Sequence, residues 1–437
     1  MKLNRRNFLK SSLAVGASSL VTSTAVKAAT AGSTDYKALV CIFLKGGNDA
    51  YNMVVPRSPS AYHQYESFRH NIAINKDSLI DIDITTSNGI KLGLHPSMSA
   101  MKPIFEKNNA TIIVNSGTLV ESLIDRENGW EDAIFPEFLR AHNKQQSMWQ
   151  IGTLNQGTSL GWAGRMMDYM SLRGKVSPAI SISGNCNFLR SKSLQPLALS
   201  TSEPGNYKGI DELQRYNGLI WNWEREYSNL YERNYALMMK QRFVQSELLK
   251  EELNNFPSGE GYSGSLGSQL SMVGRMIRAK SAFSHSRQVF FVSLGGFDTH
   301  QKQLKQHSKL LEQVAKAMAA FQKEMELTNN SDNVTVFTMS DFGRRLQSNG
   351  DGTDHGWAGH QIVMGGAVNG GKAYGKWPDF SSDREYHNGD IIPGIAADQV
   401  HATLASWFGY PSDDDYLVKL FPSLDNFEDK VISGLLS

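Results

Sequence analysis

Two apolar runs and the stretch between them set the frame. VFFVSL (Val289–Leu294) and VTVFTM (Val334–Met339) are β-branched and aromatic and carry no charge, as strands buried on both faces do. Between them, from Gln301 to Glu326, Leu310, Val314, Met318, Phe321 and Met325 recur at helical spacing, so this stretch is an amphipathic helix. Strand, long helix, strand is a βαβ unit, and its two strands lie parallel in one sheet. The expected class is therefore α/β, a three-layer, mostly parallel, doubly wound sheet. Further strands are read at Ala38–Leu44, Ala110–Asn115, Ala179–Ile182 and Ile362–Met364, and helices at Leu266–Ser284, Ile395–Phe408 and, as one or two pieces, over 210–250.

The chain has 437 residues, 44 basic and 43 acidic. So even a balance gives no basic face for nucleic acid. The first 31 residues read as a leader: Arg5-Arg6 stand before Phe8-Leu9-Lys10, a weakly apolar stretch follows, and small residues close it. This is the pattern of a twin-arginine export signal. It implies the twin-arginine export machinery as a partner, export in the folded state and a periplasmic or extracellular address. Residues 32–437 are then expected to form one large domain. No later stretch is apolar for the roughly 18 residues that a membrane helix needs. The two cysteines, Cys41 and Cys186, allow one disulfide or two free thiols.

Three apolar strands end in polar punctuation: GGND (Gly46–Asp49), GGFDTH (Gly295–His300) and SDFGR (Ser340–Arg344). In a parallel sheet such ends share one edge, where open α/β sheets place their sites. Asp49, Asp298, His300 and Asp341 come from these ends, and His355 from the glycine-rich loop behind the third. Aspartate oxygens with histidine nitrogens suit a divalent ion: Zn, Mn or Fe, with Ca or Mg favoured as carboxylates increase. The aspartates equally suit helix or turn caps, and His300 a surface helix turn; Asp354 and His360 read as supporting residues. Arg344 and Arg345 are candidates to balance the carboxylates or to grip an anionic substrate. A second polar cluster, AHNKQQSMWQIG, puts His142-Asn143 and Gln145-Gln146 before Trp149. No complete GxxxxGK[ST] phosphate loop is present, and no GxGxxG follows a strand.

Taken together, the twin-arginine start, LKGGNDAYNMVVP, LGLHPSM, HNKQQSMWQ, LGWAGR, GGFDTHQ, SDFGR, DHGWAGHQIVMGGAVNGG and DQVHATLASWFG resemble the DUF1501 family of uncharacterised exported bacterial proteins. That family in turn resembles the alkaline phosphatase and sulfatase superfamily. The resemblance implies an alkaline-phosphatase-like fold and a metal-dependent hydrolase of phosphate or sulfate esters, acting on a small molecule or a polysaccharide. It implies one metal site of Asp298, His300 and His355 and a second containing Asp49 and Asp341, with Arg344, His142 and Asn143 as catalytic candidates. The chain departs from the superfamily's pattern in two places. Phe342 stands where a histidine follows the aspartate, which points to a single ion. Ala141 stands where a serine precedes His-Asn in that family, with Ser116 and Thr118 as substitutes by position. The departures keep two other readings open, an exported binding or assembly protein without catalysis and a metal-free hydrolase whose carboxylates do the acid–base work.

Overall fold

The computed structural model describes residues 35–124, 130, 132–154, 157–172, 174–201, 212–382, 385–387 and 389–437. The leader lies outside the described residues. The uncharged runs become the strands of one sheet: β1 (Lys37–Lys45), β2 (Ala110–Gly117), β3 (Ala179–Ser181), β4 (Leu197–Ala198), β5 (Arg287–Gly295), β6 (Val334–Ser340), β7 (Gly359–Met364) and β8 (Ile395–Ala396). The helices used below are α1 (Pro59–Arg69), α2 (His142–Ile151), α3 (Trp162–Tyr169), α4 (Gly264–Arg278), α5 (Gln303–Leu327) and α6 (Ala397–Phe408). Across the sheet the strands run β8-β2-β7-β6-β1-β5-β3-β4. Every neighbouring pair is parallel except those made by β7, which is antiparallel to both β2 and β6.

The strands are apolar on both faces because both faces are covered. Val40, Ile42 and Leu44 of β1 share a core with Val273 and Ile277 of α4 and Val314 and Met318 of α5. Leu39, Cys41 and Phe43, which point the other way, share one with Trp162 and Met166 of α3 and Val400 and Leu404 of α6. This is the expected three-layer arrangement. Cys41 and Cys186 are both free thiols, Cys41 buried in the second core.

Two details differ from the sequence reading, at β7 and at the start of α6, and one open alternative is decided. The last strand starts at Gly359, three residues earlier than read, and runs against its neighbours. A parallel return needs a crossover, usually helical, and only the hairpin of Arg344–Ser348 and Thr353–His355 stands between β6 and β7. The helical stretch over 210–250 is broken into Leu213–Glu224 and Leu230–Leu253, where the Asn229 side chain accepts from the backbone N–H groups of Tyr231 and Glu232 and caps the second helix. Ile395–Ala396 is claimed by the sheet edge, so α6 begins at Ala397.

What positions the site is the register. Lys45 pairs with Gly295 and Leu44 with Ser340. The ends of β1, β5 and β6 therefore stop at one level, and their polar continuations meet.

Candidate metal centre

The Gly-Gly pair after β1 lets the three strand ends close on one another. Gly46 and Gly47 both have positive φ, 116° and 77°, a region that residues with a side chain seldom adopt. A Cβ on Gly46 would lie 2.5 Å from the backbone nitrogen of Asp298, and one on Gly47 would lie 2.4 Å from the Phe342 ring. Arg344 then ties the ends together. Its buried guanidinium donates to the carbonyls of Gly47 (2.8 Å), Gly46 (2.6 Å), Phe297 (3.1 Å) and Thr353 (2.8 Å), and to Asp298 Oδ1 (2.5 Å).

Around Asp298 three imidazoles converge, each with its outer nitrogen held by an acceptor. His142 Nδ1 lies 2.6 Å from Asp341 Oδ2. Asp341 is fully buried and otherwise accepts only, from Gly46 N–H (3.1 Å) and Gln146 Nε2 (2.8 Å); it behaves as a carboxylate, so His142 donates from Nδ1. His355 Nδ1 lies 2.9 Å from the carbonyl of Arg140, which can only accept. His300 Nδ1 lies 3.4 Å from Asp354 Oδ1. Each ring thus carries its proton outward and turns the Nε2 lone pair inward. The inward atoms crowd. His300 Nε2 is 3.0 Å from His355 Nε2, and Asp298 Oδ1 is 3.0 Å from the first and 3.2 Å from the second. His142 Nε2 is 3.6 Å from Asp298 Oδ2. The ring centroids of His142 and His355 stand 4.5 Å apart.

Lone pairs and a carboxylate at such distances are spaced as the ligands of one cation are. Ligand atoms bound at about 2.0–2.1 Å to one ion lie roughly 2.9–3.4 Å from each other, and the triangle of Asp298, His300 and His355 has edges in that range. An outer N–H fixed on a carboxylate or carbonyl is also how metal-ligating histidines are held. The residues present therefore fit a divalent ion. The ligand atoms of His142, Asp298 and His355 likewise lie within 4.8 Å of one another. Burial pushes the Asp298 carboxyl up, but Arg344, His300 and His355 outweigh it and hold it below the usual carboxylate range. Burial lowers the pKa of His355, which keeps its lone pair available.

Of the residues read from the sequence, Asp298, His300, His355 and His142 meet, and Asp341 stands directly behind His142. Asp49 does not join them and corrects the expectation of a second site with Asp341. Its oxygens face Arg69 at 2.6 and 2.9 Å and Gln303 Nε2, all fully buried; a carboxylate so engaged has no free face for an ion. Arg344 does balance a carboxylate, that of Asp298, but the catalytic role is corrected. Its N–H groups are spent on carbonyls and Asp298, so it braces the site and is not free to grip a substrate. Asn143 is exposed, its side chain accepting from Lys144 N–H, and does not face the cluster. His360 is buried elsewhere, its Nδ1 accepting from Asn115 N–H and its ring against Tyr51. The sequence reading left Gln146 without a role on Asp341. Its spacing offers the signal, since four residues after His142 falls on the same helical face. The Arg140 carbonyl had no side-chain signature to find.

Comparison with known proteins follows from this geometry. Residues 2–22 match the model of the twin-arginine translocation signal, so the chain carries an export signal. No described helix is long and apolar enough to cross a membrane. No curated protein matches the chain. Several solved structures resemble it distantly. The C-terminal periplasmic domain of EcEptC from Escherichia coli, in complex with Zn, is 9% identical with a TM-score of 0.40, over 93% of each chain. The soluble domain of lipooligosaccharide phosphoethanolamine transferase A from Neisseria meningitidis is 9% identical with a TM-score of 0.36, over 93% of this chain and 95% of that one. The PsFucS1 sulfatase from Pseudoalteromonas sp. is 8% identical with a TM-score of 0.31, over 86% and 68%. Likeness this distant carries no activity across. The family model for the protein of unknown function DUF1501 matches residues 36–404, and the chain belongs to that family.

Proposed function

We propose that this chain is an exported, metal-dependent hydrolase of phosphate or sulfate esters, working with a single ion. The observation that carries the reading is the inward-facing set of three Nε2 lone pairs around Asp298. Asp298, His300 and His355 hold the ion, and so many imidazole nitrogens favour Zn, Mn or Fe over Ca or Mg. When bound, the ion supplies a Lewis acid for an ester oxygen and lowers the pKa of water. Arg344 fixes the Asp298 carboxylate. His142, locked by Asp341 and Gln146, presents Nε2 at the edge of the cluster, where it accepts or returns a proton at the reacting oxygen. Ala141, immediately before α2, offers no nucleophile, and the substitutes by position are buried and engaged, Ser116 accepting from Gln361 Nε2 and Thr118 donating to Gln145 Oε1, so the ester is cleaved by water without a covalent intermediate.

The test is elemental analysis of protein purified from its native compartment, beside Asp298→Ala and His355→Ala, with turnover assayed on aryl phosphate, aryl sulfate and phosphodiester substrates. The proposal expects close to one ion per chain, lost in both variants, and cleavage of at least one ester. A metal-free native protein overturns it. Ala141 favours a second reading, an exported binding protein that keeps the metal without turnover. A loaded protein that cleaves none of the esters supports that reading.

A further inference from the structure

The helix Leu230–Leu253 joins the body of the protein through its far half. Leu249 and Leu253 enter the main core. Midway, Trp223 and Tyr216 of the helix Leu213–Glu224 pack on Phe243, with ring centroids 5.1 and 6.3 Å away, and Glu224 lies 3.9 Å from Lys240. The turns from Leu230 to Met238 reach past this cover. They are apolar on more than one side. Tyr231, Tyr235 and Met238 follow at i, i+4 and i+7, and Leu230 and Leu237 make a second row. Ala236 turns into the small core of Trp223 and Phe243. The five side chains of the two rows are all exposed, Tyr231 at 84% and Tyr235 at 61%. A helix that is apolar all round is normally buried. The segment between Thr201 and Glu212 cannot cover this one, since its only large apolar residues are Tyr207 and Ile210.

Charge and area select the occupant. A bilayer surface is met by helices whose polar residues are mainly basic. Here Glu232 stands beside Arg233, after Glu224, Arg225 and Glu226, so anionic lipid finds no basic face. Acid and base side by side do let two identical surfaces meet across a two-fold axis without like-charge conflict. With about 150–250 Å² for an aromatic side chain and somewhat less for Leu and Met, the exposed parts of the five side chains come to roughly 500 Å² per copy. Two copies then bury about 1,000 Å², before any polar rim is counted, which is the size at which a specific interface begins. We infer that the turns Leu230–Met238 are a docking surface for a second copy of this chain, the two segments packing on each other about a two-fold axis. The pairing leaves the metal cluster of each copy untouched, so it stands apart from the proposed chemistry.

The experiment is sedimentation equilibrium of the mature protein. An interface at the lower bound of size predicts a reversible dimer with a Kd of about 10 µM, so concentrations from about 1 to 100 µM span it. Tyr231→Glu and Leu237→Lys each place a charge in one of the two rows and should weaken the dimer about tenfold or more. Both positions are exposed, so circular dichroism should be unchanged. Hydrogen exchange should slow over residues 230–238 as the protein is concentrated. A monomer throughout the range overturns the proposal. So does a dimer that neither variant weakens, because its interface then lies elsewhere. A monomer that instead sediments with phosphatidylethanolamine–phosphatidylglycerol vesicles, and loses them in the same variants, gives the face to a membrane and also overturns it.

Discussion

Asp49 and Asp298 follow equivalent strands at the same sheet edge, and in the sequence they look alike. In the structure they have opposite fates. Asp49 is fully buried, held from both sides by the Arg69 fork and covered by Gln303. Its charge is balanced and its oxygens are occupied. Asp298 has its side chain 46% exposed, shares one arginine that is also holding four carbonyls, and faces three histidine lone pairs. Its surroundings are electron-rich, as a cation site requires. A strand-end carboxylate becomes a site only where the fold leaves its balance incomplete.

Substitution is the most forceful way to break this contrast. Asp298→Ala or His355→Ala is expected to abolish metal retention and lower ester turnover on the order of 10³-fold, about 4 kcal/mol in the barrier, while the fold persists by circular dichroism. Asp49→Ala should do the reverse. Leaving Arg69 buried and unpaired costs about 3–5 kcal/mol of stability in denaturant titrations, yet metal per folded chain should not change. Replacing both partners, Asp49→Leu with Arg69→Met, should recover most of that loss; no recovery would mean that the pair does more than neutralise itself.

Smaller changes sharpen the comparison. Asp341→Asn swaps an acceptor for a possible donor behind His142, and should cost about 10–100-fold in turnover with a shifted pH profile; Gln146→Ala should cost less. The mildest effect is acid sensitivity, and it belongs to the enclosed side. Burial lowers the pKa of His307 and His360 to about 3 and that of His95 to about 4. Their folded values lie below the unfolded value, so the unfolded chain takes up protons first. Stability is full above about pH 6.5 and falls as pH drops towards the folded values, by about 1.4 kcal/mol per histidine at pH 5.5. In metal-free protein, His307→Gln should flatten that slope by one histidine's share. An unchanged slope would show that His307 does not titrate as its burial implies.

Much of this was legible in advance, for identifiable reasons. Uncharged β-branched runs and one long amphipathic helix suffice for a parallel α/β sheet, and parallel strands bring GGND, GGFDTH and SDFGR to one edge. Period and polarity carry that information. They carry nothing about Arg69, which reaches Asp49 from the far end of α1, or about the four carbonyls that hold Arg344, though its role beside the carboxylates could be read. Charge balance is settled between residues 20 and 46 positions apart, and local pattern does not record it. The direction of β7 escaped for a similar reason, since an apolar run reads the same whichever way the chain passes through it.

Arg344 has one more consequence, in the order of assembly. Its carbonyl partners sit after β1, after β5 and in the hairpin before β7, at sequence separations of 9, 47, 297 and 298 residues. Contacts so distant along the chain close late in folding, after the loop entropy between them has been spent. The brace that fixes Asp298 therefore exists only once β1, β5 and β6 lie side by side. On the proposed reading, an ion would not template this fold from an early intermediate but would be captured by a nearly finished protein, and for a chain that carries a twin-arginine signal that moment would come before export.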